Sequence, residues 1–192
     1  MHETLRQSSR LGPLCYDAAM QQPPNSAASH AETNRATIEI QKEYLHFSAA
    51  HFTIFSATER ENLHGHNFQV EAILDGEIGD DGLCFDYNEI KNRLKTLCNE
   101  LDEKVLLPEQ SPYLTIAHDQ DYVVATFGVE RIPFLPRDVS TLPLRNITVE
   151  ELAHWFISCI VGDTSFNELP IDSLTIRVAS GPGQWASSSW AR

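Results

Sequence analysis

From Thr37 onward, apolar and polar residues alternate in a manner typical of β-strands. The segment TIEIQKEYLHFSAAHFTIF is rich in β-branched and aromatic residues and predicts one long strand over residues 37–55, either regular or with a bulge. The segment HNFQVEAILDGEI alternates more regularly and predicts a strand whose buried face consists of Phe68, Val70, Ala72 and Leu74. Residues 173–178 predict another strand, and residues 185–190 predict a last short one.

Two segments have the period of a helix instead. After Asp86, which with Glu89 has the spacing of a capping box, apolar residues recur at helical intervals: Tyr87, Ile90, Leu94, Leu97 and Leu101. Thr148 is the N-cap of a second predicted helix, whose apolar face holds Leu152, Trp155, Phe156 and Ile160. Strands and helices do not alternate as βαβ units, so we predict an α+β fold in which an antiparallel sheet carries both helices on one face.

Two stretches fall outside this framework. The stretch QQPPNSAASHAETN lacks large apolar residues, so we predict a disordered N-terminal extension over residues 1–36, or alternatively a partner-binding arm, followed by one domain over 37–192. Residues 108–144 are less regular. Within them, two apolar runs flank Gly128-Val129-Glu130, which predicts an inserted hairpin. We expect this insert to stay outside the main sheet.

Composition narrows the classes of partner. The 192 residues include 27 acidic and 14 basic side chains, and the net charge of −13 argues against nucleic-acid binding, which needs a basic patch. No apolar run approaches the ~20 residues of a membrane span, so no membrane association is predicted. The N-terminal residues lack the apolar core of a secretion signal, and the four cysteines lack any CxxC spacing. We therefore expect a cytoplasmic protein with reduced thiols.

The candidate chemistry lies in three histidines. His64 and His66 are two residues apart and therefore share one face of a strand, while His51 reaches the same place if the preceding strand pairs antiparallel. Three neutral imidazoles form a tetrahedral zinc site with an open fourth position, the pattern of catalytic zinc. The HxH pair alone also fits two solvated histidines. With Glu71 it has the spacing of a cupin metal site, although Glu71 would face away from both histidines on a regular strand.

The order of several motifs carries a family resemblance. The motifs are SAAHF at 48–52, HGHNF at 64–68, GLCFDY at 82–87 before a helix with Lys91, Leu101-Asp102, and NITVE at 146–150. They resemble the 6-pyruvoyl-tetrahydropterin synthase / 6-carboxytetrahydropterin synthase family over roughly residues 37–108 and 142–190. The resemblance implies the tunnelling fold, in which a subunit has a four-stranded antiparallel sheet and two helices. Three subunits close a barrel, so a homotrimer or homohexamer is expected.

The resemblance also implies a site. A zinc ion would be bound by His51, His64 and His66, and the substrate would be a small pterin of the dihydroneopterin type. The substrate contacts implied by the motif order are Thr148, Glu150 and Ser180.

The chain departs from the family pattern at three positions. The usual cysteine before HGH is absent, and Glu61 has the spacing of a glutamate variant, ExxHGH, that goes with retro-aldol cleavage towards a 6-hydroxymethylpterin. Glu61 is therefore the candidate base, although it also fits a loop carboxylate without a role. The sequence Leu101-Asp102-Glu103 lacks the relay histidine and leaves Asp102 as the second catalytic candidate. Ser180 stands where the family has its pterin-binding glutamate.

These observations lead to one main expectation and two alternatives. We expect a zinc-dependent lyase that acts on a dihydroneopterin-type pterin. The first alternative is a zinc-binding oligomer of the same fold that has lost turnover. The second is a cupin-type metal oxygenase, which would use iron or manganese.

Overall fold

The computed structural model describes residues 34–192. The predicted N-terminal extension over residues 1–36 lies almost entirely outside the described residues and stays a prediction. In the described part, the strands and helices are β1 (Arg35–Ile40), β2 (His46–His51), β3 (His64–Glu77), α1 (Asn88–Leu101), β4 (Lys104–Pro108), β5 (Leu114–Asp119), β6 (Tyr122–Phe127), β7 (Glu130–Phe134), β8 (Val139–Leu142), α2 (Val149–Val161), β9 (Ile171–Gly181) and β10 (Gln184–Ala191). Short 3₁₀ helices span Pro136–Asp138 and Thr164–Glu168.

The segment predicted as one long strand forms two strands, β1 and β2. Between them the chain turns at residues 41–45, where the Leu45 amide donates to the Lys42 carbonyl at 2.9 Å. Both strands pair antiparallel with β3, which is long enough to accept them end to end. The predicted bulged strand is confirmed in part. β1 and β2 run in the same direction along β3, and residues 41–45 bulge out opposite Val70 and Glu71. The strand ends at His51, however, and not at Phe55.

The main sheet has the strand order β10-β9-β3-β2-β4-β8, with β1 also paired to β3. The predicted α+β class and its mostly antiparallel sheet are confirmed, but the sheet has seven strands rather than four. The additional pairs β2–β4 and β4–β8 are parallel. Strand β8 belongs to the 108–144 insert, so the expectation that the whole insert stays outside the sheet was wrong.

The rest of the insert forms a separate three-stranded sheet of β5, β6 and β7. The predicted hairpin is confirmed, and its two-residue turn begins at Gly128, whose φ of 56° is readily adopted by glycine. This small sheet buries its apolar face against the chain that follows β2. The cluster consists of Phe52, Ile54, Leu107, Leu114, Val123, Ala125 and Phe127.

Both helices pack on the same face of the main sheet. Phe68, Val70, Ala72 and Leu74 of β3 are buried there, which confirms their predicted alternation. Thr148 caps α2 as predicted, since its hydroxyl accepts a hydrogen bond from the Glu151 amide. Helix α1 begins later than predicted. Asp86 accepts from the Asn88 amide instead of capping, and Tyr87 occupies the N-cap position. Neither helix is long and apolar enough to span a membrane, and the same holds for every helix among residues 34–192.

Candidate active site

The strand register brings three imidazoles together at one end of the β2–β3 pair. His51 lies directly opposite His64, and Ala49 lies opposite His66. Because side chains alternate along a strand, all three histidines point to the helix-covered face. Their nearest ring nitrogens all lie within 4.8 Å of one another. Antiparallel pairing of two neighbouring strands therefore produces the predicted cluster.

Backbone carbonyls orient two of the rings. His51 Nδ1 lies 2.9 Å from the Ile147 carbonyl oxygen, and His64 Nδ1 lies 2.8 Å from the Asn62 carbonyl oxygen. A carbonyl can only accept a hydrogen bond, so each Nδ1 carries the proton in the neutral ring. The Nε2 atom of each ring then presents its lone pair to the cluster. Contacts of this kind fix the tautomer of metal-binding histidines.

The cluster fits a metal ion. His51 is only 5% exposed, and its Nε2 is buried without a hydrogen-bond partner among residues 34–192. Burial also lowers the pKa of His51 to about 4, so the ring is neutral at physiological pH. The Nε2 atoms of His64 and His66 are 3.0 Å apart, close to the roughly 3.3 Å separation expected for two nitrogens bound ~2.0–2.1 Å from a tetrahedral zinc. A cation would satisfy all three lone pairs.

A cavity of about 400 Å³ adjoins the three histidines. This volume is typical of a small-molecule site. The other lining residues come from the chain after β2, from β3, from the start of α2 and from the adjoining ends of β9 and β10: Thr53, Glu61, Phe68, Thr148, Val149, Glu150, Ser180 and Gln184. The structure therefore brings the predicted substrate contacts Thr148, Glu150 and Ser180 to the histidines.

Glu61 lies at the edge of the histidine cluster. Its Oε2 accepts a hydrogen bond from the Thr53 amide at 3.0 Å and lies 3.9 Å from His64 Nε2. Partial burial raises the pKa of Glu61, but the hydrogen bonds from Thr53 and the neighbouring imidazoles outweigh it, so the net pKa lies below its usual value. Glu61 is therefore an ionised carboxylate held in a fixed position beside the candidate metal ligands.

Asp102 lies apart from this cavity. It follows the last residue of α1, and its Oδ1 accepts a hydrogen bond from the Ser48 amide at 2.7 Å. The carboxylate thus joins the end of α1 to β2, three residues before His51. This geometry supports a structural role for Asp102, which is not among the described residues that line the cavity.

Glu71 is not placed to bind the same metal. It lies on the opposite face of β3 and forms an ion pair with Arg177 of β9 at 2.9 Å. The guanidinium of Arg177 in turn lies 4.8 Å from the centre of the Trp185 ring. The cupin alternative is wrong, because its third ligand faces away and two helices cover the sheet.

Sequence reasoning missed two polar residues at the cavity, Thr53 and Gln184. Thr53 orients the Glu61 carboxylate through its backbone amide, a type of contact that the sequence pattern does not indicate. Gln184 reaches the cavity because the β9–β10 turn places it opposite Gly181. The only available signal was its position directly after the Gly181-Pro182-Gly183 turn.

Comparisons with known proteins identify the family. The family model described as 6-pyruvoyl tetrahydropterin synthase matches residues 39–189. A relative from Pyrococcus abyssi is 28% identical over 142 residues, which cover 73% of this chain and 83% of the relative. A relative from Methanocaldococcus jannaschii is 29% identical over 146 residues, covering 74% and 88% respectively. Both are provisionally named 6-carboxy-5,6,7,8-tetrahydropterin synthases.

Solved structures agree with this result. The 6-pyruvoyl tetrahydropterin synthase of Plasmodium vivax superposes with a TM-score of 0.77 at 26% identity, covering 82% of this chain and 99% of that chain. The Plasmodium falciparum enzyme gives the same TM-score and identity, with coverage of 83% and 99%. Two further Plasmodium vivax structures carry replacements of a glutamate that is described as a catalytic residue. The chain belongs to the 6-pyruvoyl tetrahydropterin synthase family.

Proposed function

We propose that the protein is a zinc-dependent lyase that acts on a dihydroneopterin-type pterin, with Glu61 as the base. The observation that carries this proposal is the position of the Glu61 carboxylate, 3.9 Å from His64 Nε2 at the edge of a cavity that three imidazoles share. No cysteine is among the described residues that line this cavity. A carboxylate is therefore the group best placed to act where other family members use a thiol.

His51, His64 and His66 are the residues that would hold the metal. Three neutral nitrogen donors with an open fourth position are the ligand set of catalytic zinc. Bound there, zinc would supply Lewis-acid stabilisation of negative charge that develops on substrate oxygen. The proposal of zinc rests on the donor set and on the orphaned lone pair of His51.

The proposed reaction is a retro-aldol cleavage of the pterin side chain. Glu61 accepts the proton of the hydroxyl on the second side-chain carbon, and the bond between the first and second carbons breaks. The second carbon leaves as part of a two-carbon aldehyde, while the C=N bond of the dihydropterin ring accepts the electron pair. A proton then returns to the first carbon, which gives a 6-hydroxymethyl-dihydropterin. The hydrogen bond from Thr53 holds the carboxylate in one orientation during this transfer.

The pterin ring would be held at the opposite side of the cavity. Its guanidine edge offers several N–H donors, and a carboxylate can pair with two of them at once. Ser180 accepts only singly, so we assign the anchor to Glu150, which lies in the first turn of α2 and lines the same cavity. Thr148 and Gln184 are polar neighbours of the bound ring in this arrangement.

The comparisons support a pterin enzyme and leave the product open. The Plasmodium vivax relative is named a 6-pyruvoyl tetrahydropterin synthase, and a glutamate is described as catalytic in its variants. The archaeal relatives are named for a different product, a 6-carboxytetrahydropterin. We place the latter activity second, because Glu61 has the ExxHGH spacing that the proposed retro-aldol cleavage uses.

We further propose a homotrimer or homohexamer in the cytoplasm. Strands β8 and β10 are the two ends of the main sheet, and an unpaired sheet edge is a liability that subunit association removes. The candidate site lies at the exposed end of β2 and β3, where a neighbouring subunit can complete it.

Product identification tests the proposed reaction. The purified protein, with its metal content measured, is incubated with 7,8-dihydroneopterin and separately with its triphosphate, and products are identified by mass spectrometry. We expect a 6-hydroxymethyl-dihydropterin and a two-carbon aldehyde in equal amounts. A 6-pyruvoyl or 6-carboxy product would overturn the retro-aldol assignment. Stoichiometric zinc without turnover of either compound would favour the alternative of an inactive zinc-binding oligomer.

A further inference from the structure

Arg60, the residue before the proposed base, is packed between two parts of the chain. Its side chain is only 16% exposed. The guanidinium carbon lies 5.0 Å from the centre of the Phe52 ring and 5.8 Å from the centre of the Phe127 ring. Phe52 follows the metal-ligand candidate His51, and Phe127 ends strand β6 of the insert. Arg60 therefore fills the space between the histidine cluster and the three-stranded sheet.

The hydrogen bonds of Arg60 connect the same two parts. Its Nε donates to Glu130 Oε2 at 3.0 Å, and Nη2 donates to the same oxygen. Its Nη1 donates to the Glu61 carbonyl oxygen at 2.8 Å. Glu130 pairs with Phe127 across the mouth of the β6–β7 hairpin, so this hairpin contributes both an aromatic ring and a carboxylate to the Arg60 contact.

Besides Arg60, the loop that carries Glu61 is held at Ile54, whose amide donates to Asn146 Oδ1 and whose carbonyl accepts from Asn146 Nδ2. Phe55 and Ser56 donate to the Glu59 carbonyl within the loop, and the Glu61 amide donates to the Thr53 carbonyl. Phe55 is 59% exposed, so burial of the loop tip contributes little to its order. A guanidinium is a rigid fork with five donors, which lets one side chain hold several acceptors at fixed angles. Arg60 is thus the side chain that links the Glu61 backbone to the insert.

We propose that Arg60 is a positioning residue, which ties the backbone of Glu61 to the insert hairpin through Glu130 and Phe127. The insert then has a role in catalysis: it holds the loop in the geometry that places the Glu61 carboxylate beside His64. This inference rests on the proposed function, in which Glu61 is the base. It adds that residues 122–134 determine how accurately the base is placed, an effect to which proton transfer is sensitive.

The test compares two conservative replacements on the insert. Glu130→Gln weakens the contact with Arg60 and preserves the volume of the side chain. Asp119→Asn is the matched control, because Asp119 forms an exposed ion pair with Arg131 at 2.8 Å on the same small sheet but does not contact the loop. Three quantities are measured in the metal-loaded proteins: hydrogen exchange of peptides covering residues 53–63, metal stoichiometry, and kcat and KM with the pterin substrate.

We expect Glu130→Gln to speed exchange of the protected amides in the peptides covering residues 53–63 about tenfold, the order of one charge-assisted hydrogen bond. We expect its kcat to fall about tenfold with KM and metal content unchanged, because the base is misplaced while the binding residues stay. Asp119→Asn should match the wild type in every measurement. Arg60→Lys, which keeps the charge but loses the fork, should reproduce Glu130→Gln if it folds.

Equal exchange and equal kcat in Glu130→Gln and Asp119→Asn would overturn the inference. Faster exchange with unchanged kcat would also overturn it, because the loop would then be anchored without any consequence for the base. If the wild type turns over no pterin, the proposed function fails instead. The exchange comparison then decides alone whether the insert orders the loop.

Discussion

Replacing Glu61 by glutamine removes the proposed base and preserves most of its structural contacts. The carboxylate accepts a hydrogen bond from the Thr53 amide through Oε2, and the carbonyl oxygen of glutamine can accept the same bond. The amide group cannot take up a proton at neutral pH. Glu61→Gln therefore separates the chemical role of the side chain from its structural role.

The two effects differ greatly in expected size. The Thr53 bond changes from a charge-assisted one to a neutral one on a side chain that is 39% exposed, which costs at most about 1 kcal/mol of unfolding free energy. For a domain of this size that is a fall of roughly 2–4 °C in the melting temperature. Loss of a general base costs ~10²–10⁴-fold in turnover. A large fall in kcat with a small thermal shift would therefore report chemistry and not unfolding.

The assay measures kcat, metal stoichiometry and melting temperature side by side. Glu59→Gln is the matched control, since Glu59 lies in the same loop and its replacement removes the same charge two residues away. We expect metal to remain at one ion per chain in both variants and turnover to fall only in Glu61→Gln. If Glu61→Gln keeps full turnover, Glu61 is not the base.

Three further predictions follow from the same site. Glu150→Gln should weaken pterin binding, while Ser180→Glu should strengthen it and should restore binding to Glu150→Gln. Each change should amount to one to two orders of magnitude in affinity, because an unpaired buried donor costs ~1–3 kcal/mol. If calorimetry shows no change in either variant, the pterin ring binds elsewhere. Burial lowers the pKa of His51 from 6.5 to about 4. As pH falls through that window the unfolded chain takes up the proton first, so metal-free wild type should lose up to about 3 kcal/mol of stability that His51→Gln keeps, as measured by urea unfolding. Light scattering at micromolar concentration should show a trimer or hexamer, and a monomer would contradict the proposed assembly.

The metal-ligand candidates could be found from the sequence because local rules position them. The two-residue period of a strand places His64 and His66 on one face, and antiparallel pairing of neighbouring strands brings His51 opposite His64. The Thr148 cap depends on contacts within a single helical turn and could therefore also be predicted from the sequence. Only the position of His51 depended on a pairing between strands, and those two strands are neighbours in the chain.

The mistaken predictions share a dependence on partners that are distant in sequence. The segment over residues 37–55 has strand-forming residues throughout, and only the pairing of β1 and β2 with the same long strand shows that its bulge lies at 41–45 and that it ends at His51. Strand β8 joins the main sheet through a parallel pairing with β4. A strand of four residues is too short for its alternation of apolar and polar residues to predict such a pairing. Sequence periodicity gives the faces of strands but not their neighbours.

The structure also answers part of a question that the sequence left open, namely how strong a base Glu61 is. Without any metal, the Thr53 hydrogen bonds and the adjacent imidazoles already lower the pKa of Glu61 despite its partial burial. A cation at the histidine cluster would act in the same direction. Glu61 is therefore ionised at neutral pH but is a weak base, and proton transfer to it is favourable only from an unusually acidic hydroxyl. For the proposed proton transfer, the accurate placement of the Glu61 carboxylate beside the histidine cluster therefore matters more than the intrinsic basicity of Glu61.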